Sequence, residues 1–203
     1  MRAIAVEIQA LVAIASGDNG RKTVNGIPFT RLSLLMGVLQ KHCGISFGRR
    51  DVYVNVAGKF RLEQGHTADL AVAIALASSV SCIPIRGDTV FVGEVGLLGE
   101  LRSVPAIDKR IQEARRMGFS RVIAPSVGKK RRQKQVANAQ GLKIIYCGSL
   151  KDALDEGLVK PISSFKKKRR GAKPMGQSAP ETIADLGLDD TIMDDGDDEN
   201  IFL

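Results

Sequence analysis

The stretch of this chain with the makings of a reactive centre is residues 58–79, GKFRLEQGHTADLAVAIALASS, where a strand gives way to a polar loop and then to a helix of small residues. A helix start gathers unpaired backbone N–H groups and partial positive charge, so a nucleophile or a bound anion fits there. Thr67 is the hydroxyl at that junction, and it reads either as a nucleophile or as a helix-start residue. His66 beside it offers an imidazole, but sequence neighbours seldom reach the geometry of a nucleophile and its base, and the reading set against catalysis is an exposed loop histidine.

Metal and thiol chemistry find less support. Cys43, Cys82 and Cys147 are isolated, odd in number and without a CxxC pair or a histidine cluster. That spacing argues against a disulfide framework and a zinc site, and reads as buried thiols in a reducing compartment.

Cations are the other chemical resource. The chain has 203 residues and a formal charge of +8, unevenly placed: residues 166–203 hold six Lys/Arg and nine Asp/Glu, so the first 165 residues carry 24 basic groups against 13 acidic ones. A folded part this basic favours a polyanionic partner. The densest run is GKKRRQK, with Lys129, Lys130, Arg131, Arg132 and Lys134. A second group, Lys109, Arg110, Arg115 and Arg116, shares one helix, and Arg49, Arg50, Lys59 and Arg61 flank a strand. Such groups track phosphates without choosing sequence; the alternative for each is a solvated face. Phe60 is the one aromatic inside a basic stretch, so base stacking has little to build on.

The elements that must position these residues follow from periodicity. Residues 3–12 alternate as a strand, with Ile4, Val6 and Ile8 on one face. Residues 17–26 form a polar, Gly-rich loop. Residues 29–42 make an amphipathic helix with Leu32, Leu35, Met36 and Leu39 on its stripe, Thr30 as a cap and Gly44 as a stop. Asp51–Ala57 is the clearest strand, through Val52, Val54 and Val56. A helix covers about 66–79. Residues 89–95 and 99–104 read as strands joined by a tight turn, 106–117 as a helix ended by Gly118, and 121–124 as a short strand. Residues 136–140 read as part of a short helix, 142–146 as a strand, and 149–156 as a helix capped by Ser149. Strands and helices mix without a steady βαβ rhythm, which predicts an α+β domain over 1–161 with a mixed sheet and flanking helices. From 162 to 203 a basic block (Lys166–Arg170), a Gly/Pro/Ser-rich stretch and an acidic run predict a disordered tail, whose acidic part has the charge to fold back on the basic surface. A nuclear signal or a nucleic-acid patch is the functional reading of the basic block. No run of 18 apolar residues predicts a membrane span, and Glu7 and Gln9 argue against a signal peptide.

The order of these segments resembles the Lon-protease-like domain, of ribosomal-protein-like fold, at the C-terminus of the RadA (Sms) DNA-repair proteins. EIQALV at residues 7–12, TRLSLLMGVLQKH, DVYVNVAG, ADLAVAIALASS and GEVGLLGELRSVP carry the resemblance over about residues 5–160. It implies recombinational repair of branched or single-stranded DNA, a homo-oligomer in the form of a hexameric ring, and a RecA-type recombinase as partner. The complete family form adds a zinc module and an ATPase. No GxxxxGK[ST] and no four-cysteine module occur in these 203 residues, so ATP and zinc are expected only in upstream domains, and the chain is expected to be a fragment, a truncated form or a stand-alone derivative. Bacterial cytoplasm, plastid and mitochondrion are all compatible compartments.

The resemblance also implies a test of Thr67. Lon-type peptidases pair a serine in G-P-S-A-G with a lysine on a later helix. Here Gly65-His66-Thr67-Ala68-Asp69 stands at that segment, and the lysine position falls on Asp108, with Lys109 and Arg110 adjacent. Asp69 adds negative charge beside the hydroxyl. Asp108, with an ordinary pKa of about 4, is a poor base for an alcohol, and arginine is no neutral base at all. The expectation is a non-proteolytic Lon-like scaffold that binds DNA. The alternative is a peptidase with a degenerate Thr67–Lys109 dyad, and a third reading is a protein-interaction module without DNA contact.

Overall fold

The structure is a computed structural model that describes residues 3–17, 19–62, 66–126, 135–139 and 141–162. The basic run at 129–134 and the tail from 163 onward lie outside the described residues.

Three strands, β1 (Ile8–Ile14), β2 (Lys22–Asn25) and β3 (Arg50–Val56), form a sheet in the order β1-β3-β2. β3 runs antiparallel to β1 and parallel to β2. The alternation in β3 puts Val52, Val54 and Val56 on the covered face, while Tyr53 stays on the open one opposite Leu11. Two helices cover that sheet: α1 (Phe29–Val38) and α2 (Asp69–Ser81). α1 buries Leu32, Leu35 and Val38, continues as one π turn through Cys43, and stops where Gly44 turns left-handed at φ 68°. Thr30 does not cap it: the N-cap is Pro28, whose carbonyl accepts from the N–H of Arg31 and Leu32.

Ten of the thirteen residues of α2 are buried. It is the central helix, with the three-stranded sheet on one side and a second layer on the other, and its alanines allow that close approach. The second layer is the sheet β4-β7-β9-β8, built from β4 (Thr89–Phe91), β7 (Arg121–Pro125), β8 (Gln135–Ala139) and β9 (Leu142–Cys147). β4, β7 and β9 are parallel, and β8 is antiparallel to β9. β5 (Glu94–Val95) and β6 (Leu101–Arg102) form a small antiparallel pair of their own. On one face of the four-stranded sheet, Ile123, Ile145 and Cys147 join the main core with α4 (Leu150–Gly157). On the other, Val122, Ala124, Leu142 and Ile144 meet α3 (Ile107–Arg116). α3 buries only Ala114 fully, so it adds little to the roughly 1.5–3 kcal/mol that each deeply buried Leu or Ile contributes elsewhere.

The α+β class with a mixed sheet and flanking helices is therefore the observed one. Four local readings change. Residues 3–7 are irregular, and the strand begins at Ile8. The polar loop at 17–26 contains β2, a short edge strand. The single strand at 89–95 is two strands in different sheets, broken at Gly93. The helix at 136–140 is strand β8, because it pairs along β9 from Gln135↔Tyr146 to Ala139↔Leu142.

Candidate functional site

Thr67 lies in a single 3-10 turn, His66–Ala68, that leads into α2. The N-cap of α2 is Ala68, without a side-chain cap, so Thr67 is not the capping residue. Its carbonyl accepts from the N–H of Gly93 at 3.3 Å, and the carbonyl of Gly93 accepts from the N–H of Leu70 at 3.2 Å. This backbone clip needs a glycine: a Cβ at Gly93 would come within 3.0 Å of the Pro125 ring. It also engages Leu70 N–H, one of the donors that a helix start would otherwise present to an oxyanion.

Asp69, which by sequence only added charge beside the hydroxyl, has a different task. It is 4 % exposed and forms a two-pronged ion pair with Arg31 of α1, with Nε to Oδ1 at 2.8 Å and Nη2 to Oδ2 closer still. The Arg31 Nη2 also donates to the Val95 carbonyl at 2.9 Å, and the Val95 N–H donates to the Asp69 carboxylate at 3.1 Å. One carboxylate thus joins α1, α2 and β5, and its charge is answered by a guanidinium in the fork geometry that suits it. Arg31 is 38 residues away in sequence, and nothing local marks it as the partner.

Thr67, Ala68, Ala71 and Ala75 form one side of a cleft of about 520 Å³. Its other walls are the irregular arm before β1, the edge of β4, and the face of α3 that carries Arg110, Glu113 and Met117. The lining is mostly apolar. Asp108 and Lys109 are not part of it; both are exposed on the outer side of the first turn of α3. The structure thus brings Thr67 into one cleft with Arg110, a permanent cation, and not with Asp108 or Lys109. His66 faces elsewhere: it lines a smaller hollow of about 270 Å³ beside Arg31 and Asp69.

The basic residues are dispersed. Lys109 and Arg110 sit at the start of α3, where Arg110 Nε donates to the Pro105 carbonyl at 3.2 Å. Arg115 and Arg116 are exposed at its end, a ten-residue helix that spans about 15 Å. Glu113 takes up Arg116 at 2.5 Å and pushes its pKa above the ordinary arginine value. Lys59 ends a short 3-10 turn after β3, and Arg61 follows it on the surface. Lys129, Lys130, Arg131, Arg132 and Lys134 lie outside the described residues, between the end of β7 and the start of β8. α3 ends beside the start of β7, where Ser120 and Arg121 N–H groups reach the Asp88 carbonyl.

Sequence reasoning missed Arg31–Asp69, and also Arg86 and Arg121. The Nε atoms of these last two are buried without a hydrogen-bond partner, although Arg121 reaches Glu156 at 3.5 Å through Nη2. Cys43 and Cys147 are buried and Cys82 is exposed. Among the described residues, no three His, Cys, Asp or Glu side chains are grouped to hold a metal ion, and no helix is long and apolar enough to cross a membrane.

Comparison with known proteins adds two findings. Residues 36–127 match the family model described as subunit ChlI of Mg-chelatase. The chain is also similar to proteins named DNA repair protein RadA: 40% identical over 144 residues to that of Streptococcus pyogenes serotype M3, covering 71% of this chain and 31% of the relative. It is 43% identical over 125 residues to that of Brucella abortus, covering 62% and 27%, and 41% identical over 124 residues to that of Listeria monocytogenes, covering 61% and 27%. The chain thus spans about a third of the length of these curated relatives, or slightly less.

Proposed function

We propose, starting from a chain that is a RadA-family sequence along most of its length, that it serves DNA repair as a non-proteolytic, Lon-like scaffold. In this reading the domain assembles with further copies into a ring, offers basic side chains to the phosphates of branched or single-stranded DNA, and works beside a RecA-type recombinase. ATP hydrolysis and zinc binding belong to other segments of such proteins.

The observation that carries the reading is the composition of the cleft beside Thr67. A Ser–Lys type of mechanism needs a neutral amine within hydrogen-bond reach of the hydroxyl and free donors for the oxyanion. Lys109 and Asp108 stand outside the cleft, Arg110 is the cation inside it, and Leu70 N–H is held by Gly93. A cleft so composed lacks the base and one of the donors that peptide-bond hydrolysis of this type needs, which supports the non-proteolytic reading.

Two measurements test this. Casein or a fluorogenic peptide incubated with the protein is expected to remain intact; turnover abolished by Thr67→Ala and by Lys109→Ala would establish the peptidase reading instead. Electrophoretic mobility shift at several salt concentrations is expected to show DNA binding that weakens steeply as salt rises, because neutralised phosphates release counterions. Absence of any shift near physiological salt would leave an interaction module without DNA contact.

A further inference from the structure

The cleft of about 520 Å³ has no role in the DNA contact proposed above. It is lined by small and apolar side chains, among them Ala71, Ala75, Val90 and Phe91, and its margins expose Ile4 (63 %) and Met117 (51 %) to water. Apolar surface left open in this way gains about 25 cal/mol for each Å² that an occupant covers. The two carboxylates on its walls are engaged, Glu7 by Gln9 Nε2 at 2.9 Å and Glu113 by Arg116. The cation in its lining is Arg110, which among the described residues makes no ion pair and donates through Nε to the Pro105 carbonyl. An apolar trough with an unanswered guanidinium on its wall calls for an apolar strand of chain that carries carboxylates.

This chain contains such a segment, and it leaves the fold beside the cleft. After α4, Leu158 bridges Ile85 and the Val159 N–H donates to the Pro84 carbonyl at 2.9 Å. The described chain ends three residues later, at Ile162. Residues 189–203, DDTIMDDGDDENIFL, hold seven acidic side chains, no basic one, and two apolar groups, Ile192–Met193 and Ile201–Leu203. The 26 intervening residues, Gly-, Pro- and Ser-rich in part, give a flexible reach of about 29 Å, and such a tether supplies an effective concentration on the order of millimolar.

We propose that the segment 189–203 docks in this cleft of its own chain, with Ile192, Ile201 and Phe202 against the alanine side of α2 and its carboxylates over Arg110. The docked segment covers Arg110, so a nucleic acid must displace it to reach that side chain. Cleft occupancy itself is read without DNA, so it stands or falls apart from the DNA reading.

The test uses the full chain with the exposed thiol removed by Cys82→Ser. Met117→Cys at the cleft is combined with Ile201→Cys, and under mild oxidation the linked peptide is quantified by mass spectrometry. The control pairs Ile201→Cys with Leu11→Cys on the open face of the three-stranded sheet. The cleft pair is expected to link at least about tenfold faster than the control, with no change on dilution, as a tethered contact requires. Ile192→Ser with Phe202→Ser is expected to abolish that preference and to speed amide exchange in β4. Equal rates for both pairs, or a preference that survives the Ser substitutions, would overturn the proposal. Linkage that falls with dilution would also overturn it, since the occupant is then a second copy.

Discussion

At the scale of single residues, the side chain that matters most around Thr67 is the one next to it but one. Asp69 is buried, and its charge is held by Arg31 and the Val95 N–H. Removing one partner of a buried pair leaves an uncompensated charge, which costs about 3–5 kcal/mol. Arg31→Met is therefore expected to lower the unfolding free energy by that amount, read as a lower urea midpoint at an unchanged m value. Thr67→Ala, with no side-chain hydrogen bond to lose among the described residues, should stay within about 0.5 kcal/mol of the parent; a large loss there would mean that the hydroxyl holds the turn. Thr67 was legible in the sequence because the helix start is local. The role of Asp69 was not, because its partner arrives from another helix. Asp88 offers a pH test at the same scale. The Ser120 hydroxyl is the main cause that holds its carboxyl below the ordinary aspartate range; it outweighs the opposing effect of burial, the next largest, with smaller help from Thr89 and Arg121. A lowered folded value means stability that is present above the unfolded pKa of about 3.9 and lost as pH falls through the folded one. Ser120→Ala is expected to raise the Asp88 midpoint in a carboxyl-carbon NMR titration. The stability difference from the parent, small for so exposed a group, should vanish at acid pH; an unmoved midpoint would assign the shift to other groups.

At the scale of elements, legibility followed how many faces an element buries. β3 shows one-sided burial and alternates strictly, α1 shows one stripe, and both were readable within a residue or two. β2 is four residues of polar edge strand whose parallel pairing to β3 leaves no pattern in a Gly-rich loop. β8 reads as helix from its alanines, and only its partner β9 makes it a strand. The run 89–95 alternates without interruption, yet its two halves serve different sheets because the Gly93 clip pulls the chain toward α2. Ser149 was correctly legible as a cap, since its Oγ accepts from the Asp152 N–H three residues on, at 3.2 Å. The other end of α4 is fixed by space instead. A Cβ on Gly157 would come 2.6 Å from the Phe91 ring edge and 3.4 Å from Ile74 Cδ1. Overpacking of that kind costs about 1–3 kcal/mol, so Gly157→Ala is expected to lower stability by that much in chemical denaturation. A neutral result would show that the Phe91 ring swings into the open cleft at no cost.

At the scale of the whole molecule, the proposed DNA reading asks which cations would carry the contact. A basic net charge favours a polyanionic partner without saying where it binds. Arg116 already spends its charge on Glu113. Lys109 and Arg110 lie toward the start of α3, about 8–11 Å along the helix from Arg115 and Arg116. A phosphate contact that releases a counterion contributes about 0.9 to the slope of log affinity against log salt on duplex DNA, or about 0.7 on single strands. If the run at 129–134 is the principal contact, replacing Lys129, Lys130, Arg131, Arg132 and Lys134 with Gln should flatten that slope by about 3.5 on single strands and about 4.5 on duplex, and weaken binding to every sequence alike. Arg116→Gln should leave it unchanged within about 0.3, because the cation it removes is already neutralised by a carboxylate. Slopes measured on one branched and one single-stranded oligonucleotide would decide between the clusters. A steep slope that survives loss of the run but falls with Lys109→Gln and Arg110→Gln would move the interface onto the start of α3, beside the cleft that the acidic segment is proposed to fill.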